Sequence, residues 1–459
     1  MTTTEERFVW MLTDPRNPAL VGKIERRSNG DVSLTYGDDW LDTGFPLSAD
    51  LPLSPNEYAP IHRRARQPAA PGALDDARPD NWGEKVIRYL HQPRSNHLFE
   101  YLYFAGDERF GALGISSSDQ TYTPCPTSPL PRLEDAQSIS DAARIIGAGG
   151  KLDGQRRLLV YAGASLGGAK PKAVVSIKQD QYVLKLFNAE PVDQPLVEHA
   201  TMTLAAKAGI NVAKTLLVPL EAEHALAIKR FDRVRDRRSV GTNAGTNVGK
   251  GAGKDASTGA DATTRRLHCI SAATVLRAET PAGETPRYGY PHLARALRRF
   301  ADQKTVGAQL QELFRRMVFN ILIANTDDHE KNHSFIVRAN GVLELSPAYD
   351  IVPTGSGATE HEFLIGENSS EASLREAMSV CSQFGLTPGN AAQAVVKIIR
   401  TVSAWNTHFR ACGVTRRDIA ELESVIDRDD LVQQRMRFDP ADYRSTKART
   451  AVKTRNPFR

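Results

Sequence analysis

The sequence predicts an α+β protein made of two lobes, one rich in β-sheet and one almost entirely helical, with a small α+β domain in front of them. Short apolar segments separated by turn residues fill the first half of the chain, as in sheets. After about residue 265, apolar residues recur three and four positions apart, as on helices that face a core. The length of 459 residues exceeds that of one typical domain, so two or three packed units are expected.

The composition is ordinary and excludes several classes of protein. Hydrophobic residues make up 41% and charged residues 25%, and the formal net charge is only +5. The first residues include acids and form no apolar run, and no segment reaches the ~18 apolar residues that span a bilayer, so we expect a cytoplasmic protein. The cysteines show no C-x-x-C spacing, which argues against a disulfide framework and a structural zinc site: Cys125, Cys269, Cys381 and Cys412.

Residues 1–145 are interpreted as a small α+β accessory domain that supports the next unit. Apolar and polar residues alternate on both sides of Asn29-Gly30, a dipeptide that accepts φ > 0 at both positions and predicts a type I′ hairpin. The segment "NWGEKVIRYLHQ" predicts a short helix. Segments rich in Pro, Asp and Gly predict that loops dominate the rest of this domain.

Residues 146–298 are predicted to form the sheet-rich lobe. The segment "RRLLVYAG" predicts a strand that enters a Gly-rich loop, Gly163 to Gly168, and "AVVSI" predicts the strand that leaves it. A third strand, "QYVLKLF", carries Lys185. The segment "PLVEHATMTLAAKAGI" has helical spacing and stops at Gly209, a favourable residue just past a helix end. Two more strands, "VAKTLLVPL" and "HALAIKRFDR", complete a sheet with one helix packed on it.

Three further segments follow the sheet. Residues 238–265 are rich in Gly, Ala, Thr, Ser and Asn and offer almost nothing to bury, so they predict a flexible insertion. Residues 299–435 predict a helical lobe, and helical spacing already begins at "HCISAATVL". Residues 436–459 predict a disordered basic tail, since residues 444–459 contain no acid.

The segment "TDDHEKNHSF", Thr326 to Phe335, fits two different active sites. From His329 it is H-E-x-x-H, the zinc-protease pattern, which requires both histidines on one face of a helix. Here the preceding helix is expected to end at Asn325, and the polar segment after it favours a turn, so His329 and His333 are not expected to lie side by side. From Asp327 the same segment is D-x-x-x-x-N, the spacing of a kinase catalytic loop.

The rest of the chain supplies what phosphoryl transfer needs, in a consistent order. Asp327 would orient the substrate hydroxyl, and Asn332 would give a neutral oxygen to magnesium. A predicted strand, an Asn340-Gly341 turn and a second strand bring Asp350 back beside them as the second metal ligand. Earlier in the chain, the Gly-rich loop would cover the phosphates, Lys185 would reach them, and Glu198 would pair with that lysine. This order predicts a two-lobed protein-kinase-like fold.

These residues resemble the HipA-like serine/threonine kinases, the toxin components of bacterial toxin–antitoxin pairs. The resemblance runs from about residue 15 to about residue 425. The pair N-x-D-x-H-x-K-N-x-S-F and P-x-Y-D is specific to that family, and the Gly-rich loop is less so. The matching segments are "PLSADLPLSP", "SLGGAKPKAVV", "YVLKLF", "VEHATMTLAAKAGI", "IKRFDR", "RRLHCISAATVL", "NTDDHEKNHSF" and "LSPAYDIVPT".

The resemblance implies ATP and Mg²⁺ as cofactors and a translation-related protein, such as an aminoacyl-tRNA synthetase, as substrate. It implies a HipB-like antitoxin as partner, with DNA reached only through that partner. Asp327 would be catalytic, His329 would support or tune the catalytic loop, and Asn332 and Asp350 would bind the metal. Ser165 would be a site of autophosphorylation. The implied ATP-binding residues are Ser165, Gly167, Gly168, Ala169, Lys170, Lys172, Lys185, Glu198, Lys229, Arg230 and Phe231.

Two alternatives belong to other classes of function. A kinase-shaped corepressor or binding subunit without catalysis would have no need of an intact set of Asp327, Asn332, Asp350 and Lys185. A zinc hydrolase would use the His329-Glu330-His333 motif. Three segments depart from the compact family pattern and bear on partner and substrate surfaces: the segment around Asp75 to Trp82, the insertion from Arg238, and the basic tail.

Overall fold

A computed structural model describes residues 6–62, 67–165, 168, 170–187, 191–235, 264–338, 340–354 and 357–443. Nearly all of the predicted flexible insertion and most of the predicted basic tail therefore lie outside the described residues, and so do Gly167 and Ala169 of the Gly-rich loop. None of the described helices is both long enough and apolar enough to cross a bilayer.

The N-terminal domain is an antiparallel five-stranded sheet covered by short helices. Its strand order is β4-β3-β2-β1-β5, and Val9, Val21 and Leu34 lie fully buried between sheet and helices. The strands are β1 (Glu6–Met11), β2 (Ala19–Arg26), β3 (Val32–Tyr36), β4 (Glu57–Tyr58) and β5 (Leu113–Ser116). The helices are α1 (Asp38–Thr43), α2 (Gly72–Asp76), α3 (Asn81–His91), α4 (Leu98–Phe104) and α5 (Ala136–Gly147), with a 3₁₀ turn at Leu133–Asp135.

The β2–β3 hairpin forms at the predicted place, but the type I′ turn is wrong. Only Gly30 has a positive φ, +87°, and the Arg27 N–H donates to the Asp31 carbonyl across a loop of three residues. A loop of this length needs the left-handed conformation at one position, which glycine adopts without steric cost. Asn29 instead uses its side chain, whose Oδ1 accepts from the Asp31 N–H at 3.0 Å.

The sheet-rich lobe is a four-stranded antiparallel sheet with strand order β6-β7-β9-β8. Its elements are α6 (Gly154–Val160), a 3₁₀ turn at Tyr161–Gly163, β6 (Lys172–Ile177), β7 (Asp180–Lys185), α7 (Gln194–Lys207), β8 (Thr215–Pro219) and β9 (His224–Lys229). The predicted strand at "RRLLVYAG" is wrong, because α6 occupies it. Asp153 caps that helix, accepting from the Arg156 N–H at 2.8 Å, and a short apolar run alone does not distinguish a strand from a helix.

Strand pairing joins the sheet-rich lobe to the helical lobe. β10 (Arg233–Arg235) pairs with β11 (Thr264–Arg266) at the base of the insertion. β12 (Cys269–Ser271) pairs with β13 (Ser334–Val337), which pairs with β14 (Leu343–Leu345), so this sheet crosses the predicted lobe boundary at residue 298. The segment "HCISAATVL" is therefore only partly helical: it begins as β12, and Ser271 caps α8 (Ala272–Ala278).

The helical lobe is built around one central helix, α10 (Val306–Leu322), whose Phe314, Met317 and Phe319 are fully buried. Near the C-terminal end of this lobe, α12 and α13 are separated by only two residues. The other helices are α9 (Tyr290–Phe300), α11 (Leu374–Ser379), α12 (Pro388–Val402), α13 (Trp405–Ala411), α14 (Arg416–Ile426) and α15 (Asp429–Arg437), with 3₁₀ turns at Glu330–Asn332, Cys381–Phe384 and Pro440–Tyr443.

Candidate active site

A cavity of about 300 Å³ opens between the four-stranded sheet, the loops on both sides of β13 and β14, and a segment of the N-terminal domain. Most of the residues singled out from the sequence meet at this cavity. Those that line it are Ser165, Gly168, Lys172, Lys185, Lys229, Arg230, Phe231, His329, Asn332 and Asp350.

Lys185 is the centre of the charged part of the cavity. It ends β7, and its Nζ lies 2.7 Å from Glu198 Oε1 on α7 and 2.5 Å from Asp350 Oδ1. Lys185 and Glu198 are almost completely buried, with 6% and 2% exposure. The structure thus brings together the strand lysine, the helix glutamate and the carboxylate that follows the β13–β14 hairpin.

The pKa values of these groups reflect a balance between burial and opposite charge. Burial alone would raise the pKa of the Asp350 carboxyl, but the ammonium groups of Lys185 and Lys172 outweigh it and hold that pKa well below its usual range. Burial raises the pKa of Glu198 despite its contact with Lys185. Burial and the neighbouring Lys185 lower the pKa of Lys172. The cavity therefore holds an ionised carboxylate beside closely spaced cations, an arrangement suited to polyphosphate and a divalent metal.

The backbone at Asp350 is unusual, with a φ of +60°. Asp is one of the few residues other than glycine that visit this left-handed region with some frequency. The turn is fixed from outside, because the Ala348 N–H donates to the Asn211 carbonyl and the Thr354 N–H donates to the Ala324 carbonyl, at 2.8 and 2.9 Å. This conformation directs the Asp350 carboxylate to Lys185.

The loop that carries Asp327 begins where α10 ends. Asp327 is exposed at the edge of the site and does not itself line the cavity, whereas Asn332 does. The Asn332 Nδ2 lies 3.5 Å from the Asp327 carbonyl oxygen, a contact at the limit of a hydrogen bond. The adjacent Asp328 is buried beneath the loop, accepts a hydrogen bond from the Tyr290 hydroxyl, and lies 3.2 Å from His333 Nε2. Asp328 therefore anchors the loop.

The H-E-x-x-H segment does not have the geometry of a zinc site. It lies in a 3₁₀ turn, Glu330–Asn332, rather than on an α-helix, and His329 Nδ1 accepts from the Lys331 N–H at 3.1 Å. His333 is buried and stacks on Phe363 with 5.1 Å between ring centroids. Within the described part of the chain, no three His, Cys, Asp or Glu side chains are grouped to hold a metal ion.

Lys229, Arg230 and Phe231, which the family resemblance places at the hinge that holds adenine, have different roles in the structure. Phe231 stacks on Tyr349 with 5.9 Å between ring centroids and lies edge-on to Phe110, so it forms an aromatic end of the cavity. The Lys229 Nζ pairs with Asp180 at 2.6 Å.

Arg230 lines the cavity, but its guanidinium group is occupied by contacts with other protein side chains. It forms two hydrogen bonds to Asp232, of 3.0 and 2.8 Å, and contacts Glu108 of the N-terminal domain at 3.2 Å. Arg233 also donates to Asp232, at 3.0 Å. The side chain of Arg230 therefore joins two domains.

The described part of the Gly-rich loop covers one side of the cavity. Gly168 has a φ of +97°, which favours glycine. Ser165 is 4% exposed, and its Oγ has no hydrogen-bond partner among the described residues. Lys170 is not brought into the cavity: it is exposed, and its Nζ lies 4.4 Å from the centre of the Phe187 ring.

Several cavity residues were missed from the sequence. Lys331 and Tyr349 stand inside the two specific motifs and could have been found there. The cavity residues from the N-terminal domain could not have been found from the sequence, because they reach the cavity through contacts between residues about 200 positions apart in the chain. They are Asp75, Asp76, Arg78 and Asp80, in a segment that the sequence marked only as a departure from a family pattern.

Comparison with known proteins decides the family. The family model described as the HipA-like C-terminal domain matches residues 164–405, and the model of the HipA N-terminal domain matches residues 16–116. The chain belongs to the HipA-like family. The "Serine/threonine-protein kinase toxin HipA" of Shewanella oneidensis is 24% identical to this HipA-like chain over 358 residues, which cover 72% of each protein.

A solved structure supports the same fold. The complex of HipA, HipB and operator DNA from Shewanella oneidensis contains a chain that matches with a TM-score of 0.63 and 17% identity, covering 94% of this chain and 97% of that one. The HipA-like chain therefore has the expected two-lobed kinase-like fold with an N-terminal domain. Asn332 and Asp350 offer an amide oxygen and a carboxylate, which fit Mg²⁺, an ion that proteins bind through one or two carboxylates together with phosphate oxygens.

Proposed function

We propose that this HipA-like chain is a serine/threonine protein kinase that uses ATP and Mg²⁺. The observation that carries the proposal is the contact of Lys185 with both Glu198 and Asp350 in a cavity that Asn332 also lines. A binding module without catalysis gains nothing from burying a lysine and a glutamate at this cavity, since burial of charge costs free energy. Phosphoryl transfer requires such a set of fixed charges.

Each residue has a separate part in the proposed reaction. Lys185 and Lys172 hold the phosphates of ATP, and Glu198 keeps Lys185 in place. Phe231 and Tyr349 offer aromatic faces to adenine. Magnesium, held by Asn332 and Asp350, would neutralise charge on the phosphates. Asp327, at the exposed edge of the cavity, accepts or orients the proton of the substrate hydroxyl, and its exposure leaves room for a protein substrate.

The substrate and partner are proposed from the family. We take the substrate to be a translation-related protein such as an aminoacyl-tRNA synthetase, and the partner to be a HipB-like antitoxin through which the chain would reach DNA. The related protein in the complex with HipB and operator DNA supports the second part.

The test is transfer of labelled phosphate from ATP, with Mg²⁺, by the purified chain and by Asp327→Asn. The amide is nearly isosteric but cannot accept the proton, so we expect transfer to fall about 10²–10⁴-fold while ATP binding, measured by calorimetry, is retained. Equal rates would remove Asp327 from the catalytic role. ATP binding without transfer in the wild-type protein would instead support the non-catalytic subunit.

Ser165 is proposed as a site of self-inactivating phosphorylation. It is buried at the cavity, and its Oγ lacks a described partner, so the loop must move before another active site can reach this hydroxyl. A phosphate there would add about −1.5 to −2 charges beside Lys172 and compete with the phosphates of ATP.

Peptide mass analysis after incubation with ATP and Mg²⁺ tests this proposal. Phosphate is expected on the Ser165 peptide in the wild type but not in Asp327→Asn, with ATP binding falling as it accumulates. Phosphate at other positions only, or undiminished binding at full Ser165 occupancy, would contradict it.

A further inference from the structure

One segment of the N-terminal domain, residues 75–82, touches both lobes at the cavity, and we call it the cross-lobe segment. Its first part is fixed to the helical side. Asp75 pairs with Arg277 of α8 at 2.8 Å. Asp76 is half-buried and accepts hydrogen bonds from the Ser271 N–H and hydroxyl, at 2.7 and 2.6 Å. These bonds attach the segment to β12 and α8.

The middle of the cross-lobe segment reaches the catalytic loop. Asp80 Oδ2 lies 2.8 Å from the Nζ of Lys331, the residue directly before the proposed metal ligand Asn332. The Lys331 carbonyl accepts from the Tyr349 hydroxyl at 2.8 Å. Lys331 is therefore held at both ends, by its side chain from the N-terminal domain and by its backbone from the residue before Asp350.

The end of the segment reaches the Gly-rich loop. The Trp82 N–H donates to the Gly168 carbonyl at 3.3 Å, and the indole Nε1 donates to the Lys172 carbonyl at 2.9 Å. Lys172 on β6 lies directly opposite Lys185 on β7 in the register of the two strands. A Cβ on Gly163 would lie 3.2 Å from the indole nitrogen and 2.4 Å from the Lys172 carbonyl oxygen, so glycine is needed there for the close approach. Trp82 itself is 5% exposed.

We propose that Asp80 and Trp82 are positioning residues for phosphoryl transfer, which connect the catalytic loop and the Gly-rich loop through the first turn of α3. The inference rests on the proposed kinase function. Without such a connection, the catalytic loop and the Gly-rich loop could move independently, because they belong to different lobes. Transfer requires the nucleotide and the acceptor to be aligned closely. A misplacement of about 1 Å can reduce a rate about 10²-fold. The N-terminal domain is then part of the active site.

If the ion pair between Asp80 and Lys331 positions the catalytic loop, breaking it should lower the rate of transfer more than the affinity for ATP. Asp80→Asn should lower kcat about 10-fold or more with a smaller change in the KM for ATP, because the Asp80 carboxylate pairs directly with Lys331 of the catalytic loop. The matched control is Glu25→Gln, which removes a lysine-paired carboxylate, 3.1 Å from Lys23, elsewhere in the same domain. Its kcat should equal that of the wild type.

A double-mutant cycle with Lys331→Gln separates positioning from independent roles. If Asp80 acts through Lys331, adding Asp80→Asn to Lys331→Gln should reduce kcat by less than 2-fold further. Additive losses would overturn the proposal, and so would a wild-type kcat in Asp80→Asn.

Trp82→Phe tests the other contact with a measurement that does not need activity. The variant keeps a buried aromatic ring but loses the indole N–H. We expect faster amide hydrogen exchange in the peptide that includes Gly168 and Lys172, because the lost bond is to the Lys172 carbonyl. The control is Trp10→Phe, which loses a similar bond to the Ser118 carbonyl, 3.1 Å long, in the N-terminal sheet.

The hydrogen-exchange comparison and the phosphate-transfer assay test different claims. Equal exchange in both variants would overturn the role of Trp82 even in an active kinase. A wild-type chain that transfers no phosphate would overturn the proposed kinase function, and the exchange comparison would still report whether Trp82 holds the loop.

Discussion

The Asp350 carboxylate is kept ionised by lysines that come from a different part of the chain. Burial opposes its charge, and Lys185 and Lys172 more than offset that effect. At the same time Lys185 is shared between Asp350 and Glu198, so the three side chains form one charge network at the cavity. A change at one of them alters the charge balance that the others experience.

Asp350→Ala should therefore weaken Mg²⁺-dependent nucleotide binding, because it removes the charged oxygen of the proposed metal site. The alanine must also adopt the φ of +60°, which costs about 1–2 kcal/mol of folding free energy. Asp350→Asn is the control, since Asn tolerates this backbone and keeps one oxygen. Nucleotide titrations with and without Mg²⁺ measure the effect, and a loss that is equal in both conditions would exclude Asp350 from the metal site.

At the scale of elements, local sequence signals predicted most of the helices and strands that form the cavity. The hairpin that precedes Asp350 and the helix that ends before Gly209 form as predicted, and the strand that carries Lys185 also forms, although it ends at that lysine instead of continuing to Phe187. The strand at "RRLLVYAG" was wrong because a short apolar run does not define a period. The cross-lobe segment was not predicted, because its contacts depend on the relative placement of domains, for which the chain has no local signal.

The β10–β11 hairpin predicts that the insertion can be shortened. Arg235 and Thr264 are paired, so the ends of the intervening chain are already adjacent. Deletion of residues 241–260 should leave the melting temperature and ATP-dependent activity nearly unchanged, since the closure entropy of a loop varies slowly with its length. A large fall in melting temperature would show that these residues contribute to the folded core.

The buried contacts around Arg230, which join it to the N-terminal domain, predict a large loss of stability when Asp232 is replaced. Asp232 is buried between Arg230 and Arg233, whose charges hold its pKa well below the usual range against the effect of burial. Asp232→Asn removes the closer of the two carboxylates that both buried guanidinium groups contact and leaves them only Glu108, at 3.2 and 3.9 Å. It should lower the free energy of unfolding by about 3–5 kcal/mol.

Urea denaturation measures this change. Asp430→Asn, at an exposed pair with Arg428, is the control and should cost less than about 1 kcal/mol. Similar shifts in both variants would contradict the argument from burial.

At the scale of the whole molecule, buried histidines make stability depend on pH. Burial lowers the pKa of His268 and of His361 to about 4 from the ordinary 6.5. Because the unfolded chain takes up these protons first, the stability that depends on neutral histidines is present above pH 6.5 and is lost as the pH falls toward 4. Between pH 7.5 and 5 each histidine should cost about 2 kcal/mol.

His361→Phe tests this dependence. Both ring nitrogens of His361 lack hydrogen-bond partners within the described residues, so an apolar ring gives up no known bond. Urea unfolding at pH 7.5 should be little changed, and the loss of stability at pH 5 should shrink by about 2 kcal/mol. An unchanged difference between the two pH values would show that His361 does not contribute.

The bond between Asp80 and Lys331 also determines when during synthesis the cavity can be completed. The two residues are 251 positions apart. A ribosome that adds about 5–20 residues per second needs about 10–50 s to travel from one to the other. During that interval the N-terminal domain can fold, and Lys185 and Glu198 can meet, while Lys331 and Asp350 do not yet exist. A growing chain therefore has no complete cavity until residue 350 has been added.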